Sequence, residues 1–317
     1  MIGAVLTALF FGITPVVANR AIRLIGFVRT NVIRLSFAVV VLGVWAFAFG
    51  QGLQGQPLLF ATAGAIGFGI GGLSLLAALP RLGAPLASLI EETVAAPVTV
   101  VVAWVWYSDK LKNLQLLGCA VILVGVVVGL WPYVRRTVVK NVPTRAAALG
   151  IGLALLAAAA QGVSFAATKY GIKSLTLASA THASPDVITI SFQRLIGGAL
   201  VGLVVFAVAR WLWRRKWGFN AAEGSCKPIL GSENGQLTTR PLFWGGLNSL
   251  FGPILGVTCT VWAQLSLPAG QVQSIAALAP MISVPFAFWL EGHKPPRLWY
   301  LGAAVAIVGL VLVDLNS

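Results

Sequence analysis

The chain has 317 residues, of which 58% are hydrophobic and only 9% are charged, and its mean hydropathy is +0.90. Soluble domains carry about 25% charged residues, so this composition excludes an ordinary soluble domain. The net charge of +14 lies mostly in polar links between apolar runs, where membrane topology explains it better than nucleic acid does. Three scattered cysteines form no pattern for disulfides or a metal.

Ten continuously apolar runs fill nearly the whole chain, and each is about as long as the 17–25 residues that a helix needs to cross a bilayer. A transmembrane β-barrel would instead show alternating apolar and polar residues. The sequence therefore predicts an all-α polytopic membrane protein with ten transmembrane helices. In chain order, the predicted spans are residues 2–18, 28–49, 58–79, 84–107, 114–131, 146–168, 187–212, 242–266, 270–290 and 297–315.

Two polar segments interrupt this pattern, a linker at 132–145 and a predicted loop at 213–241. Of the 22 Lys and Arg residues, sixteen fall in the links after odd-numbered spans and four in the links on the opposite side. By the positive-inside rule the first set is cytoplasmic, which predicts that both termini face outward.

A duplicated glycine spacing divides the chain into halves. Gly118 and Gly125 lie seven residues apart near the end of the first half, and Gly302 and Gly309 repeat this spacing 184 residues later. A duplicated unit of five spans must enter the membrane from opposite sides, so we expect two inverted repeats with the solute site between them. The predicted repeats are 1–131 and 146–317, joined by the 132–145 linker.

Several short motifs recur in the two halves. Ala96-Pro97 and Ala279-Pro280 each precede a short turn and then a Gly-rich helix. The other corresponding segments are Phe11-Gly12-Ile13-Thr14 with Gln161-Gly162-Val163-Ser164, and Arg34 with Arg194.

With these motifs the chain resembles the EamA-type branch of the drug/metabolite transporter superfamily. The resemblance implies a ten-helix carrier built from two five-helix repeats. Members of this family more often keep both termini in the cytoplasm. That habit opposes the charge count, so the orientation stays open. The chain departs from the family pattern in the turns, where Asp109 and His293 stand for the usual Glu, and at Glu91 and Glu92 in the fourth span.

Glu91 and Glu92 are the strongest candidates for substrate binding or coupling. An acidic residue within a membrane span costs on the order of 2.5–3.5 kcal/mol to insert and is a functional candidate by default. Adjacent carboxylates repel when both are charged, and an acid that can hold a proton near neutral pH is what proton-coupled antiport requires. In the alternative reading, one of them forms a structural ion pair with Arg34 or Arg194.

The other candidates each have a structural alternative. Arg34 and Arg194 could bind an anionic substrate group, or snorkel to the head groups. Pro97 and Pro280 are candidate helix breaks, and Pro97 would free the carbonyl of Thr93. By the family plan Gln161 and Gln264 would line a cavity, with Trp104 and Trp262 as an apolar wall, although interfacial belts also explain tryptophans. Further amides, among them Gln273, could simply bond between helices.

The function predicted from sequence is secondary active transport of small organic metabolites or drugs by alternating access, as an exporter or a proton-coupled antiporter. An uncoupled facilitator or channel is the alternative. No enzymatic activity, cofactor or metal is expected, and a proton is the candidate coupling ion. The expected setting is the cell (inner or plasma) membrane, with a small-molecule substrate and lipid as partners and a monomer or homodimer as the assembly.

Overall fold

The computed structural model describes residues 1–109, 111–140, 144–178, 186–216, 239–291 and 296–315. All regular structure in this part of the chain is helical, which confirms the predicted all-α fold of a polytopic membrane protein. The helices are α1 Ile2–Ile25, α2 Phe27–Ala48, α3 Pro57–Leu82, α4 Ala84–Tyr107, α5 Asn113–Lys140, α6 Thr144–Ala178, α7 Val187–Lys216, α8 (Thr239–Ser249, Leu250–Gly256 and Val257–Ser266 in succession), α9 Ala269–Ala276, α10 Ala279–Glu291 and α11 Arg297–Asp314.

Nine helices within the described ranges are long and apolar enough to cross a membrane. The exception is the predicted span 270–290, which is not continuous but consists of α9 and α10, separated by Ala277 and Leu278. Pro280 lies in the first turn of α10 and has no amide hydrogen, so it cannot donate to the carbonyl of Ala276. Two residues form this break.

The helix ends extend further than the hydrophobic runs predicted. Helix α1 continues past Ala18 to Ile25, and a single glycine, Gly26 with φ +80°, joins it to α2. Arg20, which the sequence placed in a loop, is helical and stacks 4.8 Å from the centre of the Trp244 ring. Basic side chains of this kind lie at membrane interfaces without ending a helix, which is why the predicted end was too early.

The two polar segments are also more helical than predicted. Helix α5 runs on to Lys140, so that most of the 132–145 linker is helix, and 141–143 lie outside the described residues. Helix α7 ends at Lys216 and α8 begins at Thr239, so that both ends of the predicted 213–241 loop are helical. The remainder of that loop, 217–238, also lies outside the described residues.

The repeated glycines are the contact between α5 and α11. Gly118 lies against Gly309, and Gly125 against Gly302, so the two helices run antiparallel. A Cβ on Gly125 would lie 2.7 Å from the carbonyl oxygen of Gly302 and 2.6 Å from the amide nitrogen of Ala306. Small residues let the backbones approach this closely within a membrane, where association depends on packing rather than on hydrophobic burial.

The two predicted halves interleave rather than form separate domains. Helices α4 and α6 pack together, as do α2 and α7, α3 and α7, and α1 and α8. Large apolar side chains such as Phe47 and Trp289 face outward, whereas polar ones such as Thr99 and Gln193 are buried. A lipid-facing exterior with a polar interior is the arrangement expected of a transmembrane helix bundle.

Two π-helical segments occur at corresponding places in the bundle. Ala65–Gly71 lies within α3, and Leu250–Gly256 within α8, the third predicted span of each half. Glycines in both permit tight packing: a Cβ on Gly252 would lie 3.1 Å from Thr14, and one on Gly67 would collide with Ser164. Short π-helical stretches are rare in proteins, and many of those that occur lie at functional sites.

The α5–α11 contact gives a direct test of this packing. We expect Gly125→Ala to lower the free energy of unfolding by about 1–3 kcal/mol, because the new methyl group overpacks the crossing. Thermal unfolding in detergent micelles measures the effect. Gly152→Ala in α6 is the matched control, since no atom lies within 4 Å of the position that its new methyl group would take, and it should leave the melting temperature unchanged or higher. Equal melting temperatures for the two variants would contradict the packing role.

Candidate functional site

A small cavity with charged side chains in its wall lies where both predicted halves meet. Its volume is about 60 Å³, which leaves room for a few water molecules only. It is lined by Phe11, Thr14 and Pro15 of α1, Arg34 of α2, Gly67, Phe68, Gly72 and Leu75 of α3, Ser88, Glu91 and Glu92 of α4, Gln161 of α6, Gly252, Pro253 and Val257 of α8 and Ala279 of α10. Four predicted site residues, Arg34, Glu91, Glu92 and Gln161, therefore share one cavity.

Glu92 is held by two side-chain amides. The Gln161 Nε2 donates to Glu92 Oε1 at 3.2 Å, and the Gln273 Nε2 donates to Glu92 Oε2 at 2.8 Å. These bonds join α4 to α6 and to α9. Hydrogen bonds to a charged group contribute about 1.5–3 kcal/mol, which offsets part of the cost of burying a carboxylate that is only 4% exposed.

Glu91 has a different neighbour, because adjacent residues of a helix point about 100° apart. Its buried carboxylate shares the cavity wall with Arg34, so that an acid and a cation lie in the same small space. Arg34 is held in place by its Nε, which donates to Asn31 Oδ1 at 3.0 Å, and by the absence of a side chain at Gly72. The structural ion pair between a glutamate and Arg34, one of the alternatives from sequence, is not formed by Glu91: no salt bridge or hydrogen bond joins these two residues in the described part of the chain.

Arg194 is buried away from the cavity wall. Its side chain is 1% exposed, and its Nη2 donates to Ser164 Oγ at 3.3 Å. The guanidinium lies 5.0 Å from the centre of the Phe68 ring and 6.0 Å from that of Phe165. Its Nε and Nη1 have no hydrogen-bond partner among the described residues. Snorkelling to the head groups, the alternative for both arginines, is wrong because Arg34 is buried as well.

Gln264 serves as an interhelical contact and does not line the cavity. Its Nε2 donates to the Phe165 carbonyl at 3.2 Å, and its own backbone carbonyl accepts from Lys169 Nζ at 2.6 Å. Both bonds tie α8 to α6. The expectation that Gln264 faces the cavity is therefore wrong.

The predicted aromatic wall is also wrong. Trp104 is 55% exposed and Trp262 is 48% exposed, and both lie on the outer surface of the bundle. On α4 the inward face carries the carboxylates, Thr99 and Ala103, so that Trp104 turns toward lipid. Apolar cavity walls and lipid-facing surfaces use the same residue types, and the sequence did not separate them.

The two candidate helix breaks differ. Pro97 lies inside the continuous helix α4 and faces outward, so it neither breaks the helix nor opens a backbone carbonyl toward the cavity. Pro280 is buried directly after the break between α9 and α10, next to Ala279 of the cavity wall. Pro97 as a break is therefore wrong, whereas Pro280 lies where the chain leaves helical geometry.

Sequence reasoning did not single out Gln273. It grouped this residue with several amides at membrane depth, although Gln273 makes the shorter of the two bonds to Glu92. The only available signal was a glutamine in the span that carries Ala279-Pro280. The described ranges contain no group of three His, Cys, Asp or Glu residues that could hold a metal ion.

Comparison with known proteins bears on the first half directly. The model of the EamA-like transporter family matches residues 1–131. The resemblance seen in the sequence is thereby confirmed over residues 1–131, and the chain is an integral multi-pass membrane protein.

A solved crystal structure extends the likeness to the whole fold. It superposes with a TM-score of 0.71 at 12% sequence identity and covers 99% of this chain and 96% of its own. An identity this low shows the shared fold alone. No curated protein matches the chain. The EamA-like assignment therefore rests on the first half, and the fold likeness spans both.

The two arginines give a matched prediction. Arg194→Met removes a buried charge that has a single hydrogen bond, so we expect stability to stay equal or to rise by up to about 4 kcal/mol. Arg34→Met leaves Glu91 without its cation, and we expect a loss of about 3–5 kcal/mol. Thermal unfolding of both variants in the same detergent compares them. A larger loss for Arg194→Met than for Arg34→Met would contradict this assignment.

Proposed function

We propose that this EamA-like protein is a secondary active transporter of small organic metabolites or drugs, working by alternating access between its two predicted repeats. The observation that carries the proposal is the charged cavity between the halves of a lipid-facing bundle. Ionisable residues within a membrane are costly and mark solute or ion pathways. A monomer or homodimer in the inner or plasma membrane is the proposed setting.

The cavity size supports alternating access rather than an open pore. A volume of about 60 Å³ is far below the roughly 300–1,000 Å³ of ligand pockets. A solute of even modest size must therefore enter after the halves move apart. The π-helical segments of α3 and α8 contribute to the cavity wall, as does Ala279 directly after the break between α9 and α10. Transporters commonly form their solute sites from interrupted helices.

The charge of the cavity supports a proton as coupling ion. Arg34, Glu91 and Glu92 are the charged side chains of its wall, so that acids outnumber cations by one. When both acids are ionised, the site favours a proton or a cationic group. A proton bound in the cavity would neutralise the excess negative charge when the empty transporter returns to its starting state. This favours export by proton-coupled antiport.

A test begins with the substrate class. Ligand binding to the native state raises apparent stability, so a thermal-shift screen of purified protein across amino acids, sugars, nucleosides and cationic drugs identifies a solute for transport assays. A hit is then measured for flux in proteoliposomes under an imposed pH gradient. Flux that saturates poorly and ignores the gradient would instead indicate an uncoupled facilitator or channel.

The glutamates provide the decisive variants. We expect Glu91→Gln or Glu92→Gln to abolish the pH-driven flux of that solute, because an amide cannot exchange a proton or balance a cation. Folding of both variants is checked by size-exclusion chromatography and thermal unfolding. Wild-type pH-driven flux in both variants would remove the two acids from the mechanism.

A further inference from the structure

The two adjacent glutamates have chemically different surroundings. Glu91 shares the cavity wall with the cation Arg34, and it makes no hydrogen bond or salt bridge in the described part of the chain. Glu92 has no salt bridge in the described part of the chain, and its bonds come from the amides of Gln161 and Gln273. Two neighbouring carboxylates therefore have different polar environments, a nearby cation for Glu91 and two amide donors for Glu92.

An amide can satisfy a carboxyl group in either protonation state. It carries both a donor and an acceptor, whereas an arginine carries donors only. An arginine thus favours the ionised acid, while a glutamine can donate to a carboxylate or accept from a carboxylic acid. A half-turn of the terminal amide exchanges the two roles, since its nitrogen and oxygen occupy nearly equivalent positions.

Gln273 has this second capacity unused. Its Nε2 donates to Glu92, while its Oε1 is buried without a hydrogen-bond partner among the described residues. The side chain is fully buried, so bulk water does not reach that oxygen. If Glu92 gained a proton, the turned amide would accept the new O–H with the atom that now lacks a partner.

We propose that Glu92 is the group that takes up and releases the coupling proton, and that Gln273 and Gln161 are positioning residues which hold it in both protonation states. Glu91 stays ionised and balances the charge of Arg34 across the cavity. The assignment rests on the proton-coupled form of the proposed function. In the uptake step a hydronium in the cavity transfers its proton to a Glu92 carboxylate oxygen and leaves as water, and in the release step the transfer reverses.

The charges around Glu92 are few. Arg34 from α2 and Glu91 from α4 are the other charged side chains of the cavity wall, and α6 and α9 contribute the two amides. Glu92 also reaches the broken span, because Gln273 lies three residues before α9 ends at Ala276. A change in how Gln273 bonds to Glu92 therefore acts on the last turn before the break.

Infrared difference spectroscopy of the full chain in lipid vesicles tests the assignment without a substrate. The probe is bulk pH, and the readout is the C=O stretching band of a protonated carboxyl group. We expect a band that appears as the pH falls, is lost in Glu92→Gln and persists in Glu91→Gln. Glutamine at position 92 keeps the size and polar character of the side chain, and unfolding temperatures confirm that both variants fold.

The amides are tested by the same band. Gln273→Leu removes a buried partner that water cannot replace, so we expect the band to shift to higher wavenumber. Gln161→Leu, at the partly buried cavity wall, is the matched control and should shift the band less, because cavity water can take the place of the amide. An unshifted band in Gln273→Leu would reject the positioning role.

The outcomes separate this proposal from the proposed function. Absence of any titrating carboxyl band in the wild type, its persistence in Glu92→Gln, or its loss in Glu91→Gln would overturn the assignment to Glu92. If the band depends on Glu92 while solute flux ignores an imposed pH gradient, the proton site stands and the coupled mechanism fails. If flux follows the gradient and the band depends on Glu91, the function stands and the assignment fails.

Discussion

The structure depends on keeping two carboxylates and their partners away from lipid. Isolated charges within a bilayer are costly, and a side chain that is almost fully buried cannot reach the head groups. The bundle meets this constraint by gathering Glu91, Glu92 and Arg34 around one small cavity and by bringing Gln161 and Gln273 to Glu92. Helices from both predicted halves must pack together for these contacts to exist, so the polar site and the interleaved packing require each other.

Corresponding positions in the two halves share packing but not charge. The Ser249 hydroxyl donates to the Arg34 carbonyl at 2.7 Å. The Arg194 carbonyl packs directly against Gly64, where a Cβ atom would collide with it. Each arginine thus has its backbone against the π-containing helix of the other half. Within the described residues, Arg34 shares a cavity wall with Glu91 and Glu92, while Arg194 stacks on aromatic rings. The two halves therefore share a packing scheme, but the charged residues of the cavity wall all come from the first half.

Sequence alone predicted the features that lipid imposes directly. Long apolar runs gave the helices and the fold class, and charges within such a run identified Glu91 and Glu92. Contacts between distant residues could not be predicted, because the bond between Gln273 and Glu92 spans 181 residues and depends on tertiary packing. The tryptophans were misplaced for a related reason, since an apolar face toward lipid and one toward a cavity have the same composition.

The two Ala-Pro dipeptides show that a proline does not by itself determine whether a helix is interrupted. Proline removes the same hydrogen bond from a helix at both positions, yet α4 continues through Pro97, whereas the chain breaks before Pro280. Surroundings decide the outcome: Pro97 faces outward on a long helix that is held along its inner face, and Pro280 is buried beside the cavity wall. Gln273 bonds to Glu92 one turn before that break, so the helix discontinuity and the buried acid are joined by a single hydrogen bond. A change of charge at Glu92 therefore has a short structural route to the break between α9 and α10.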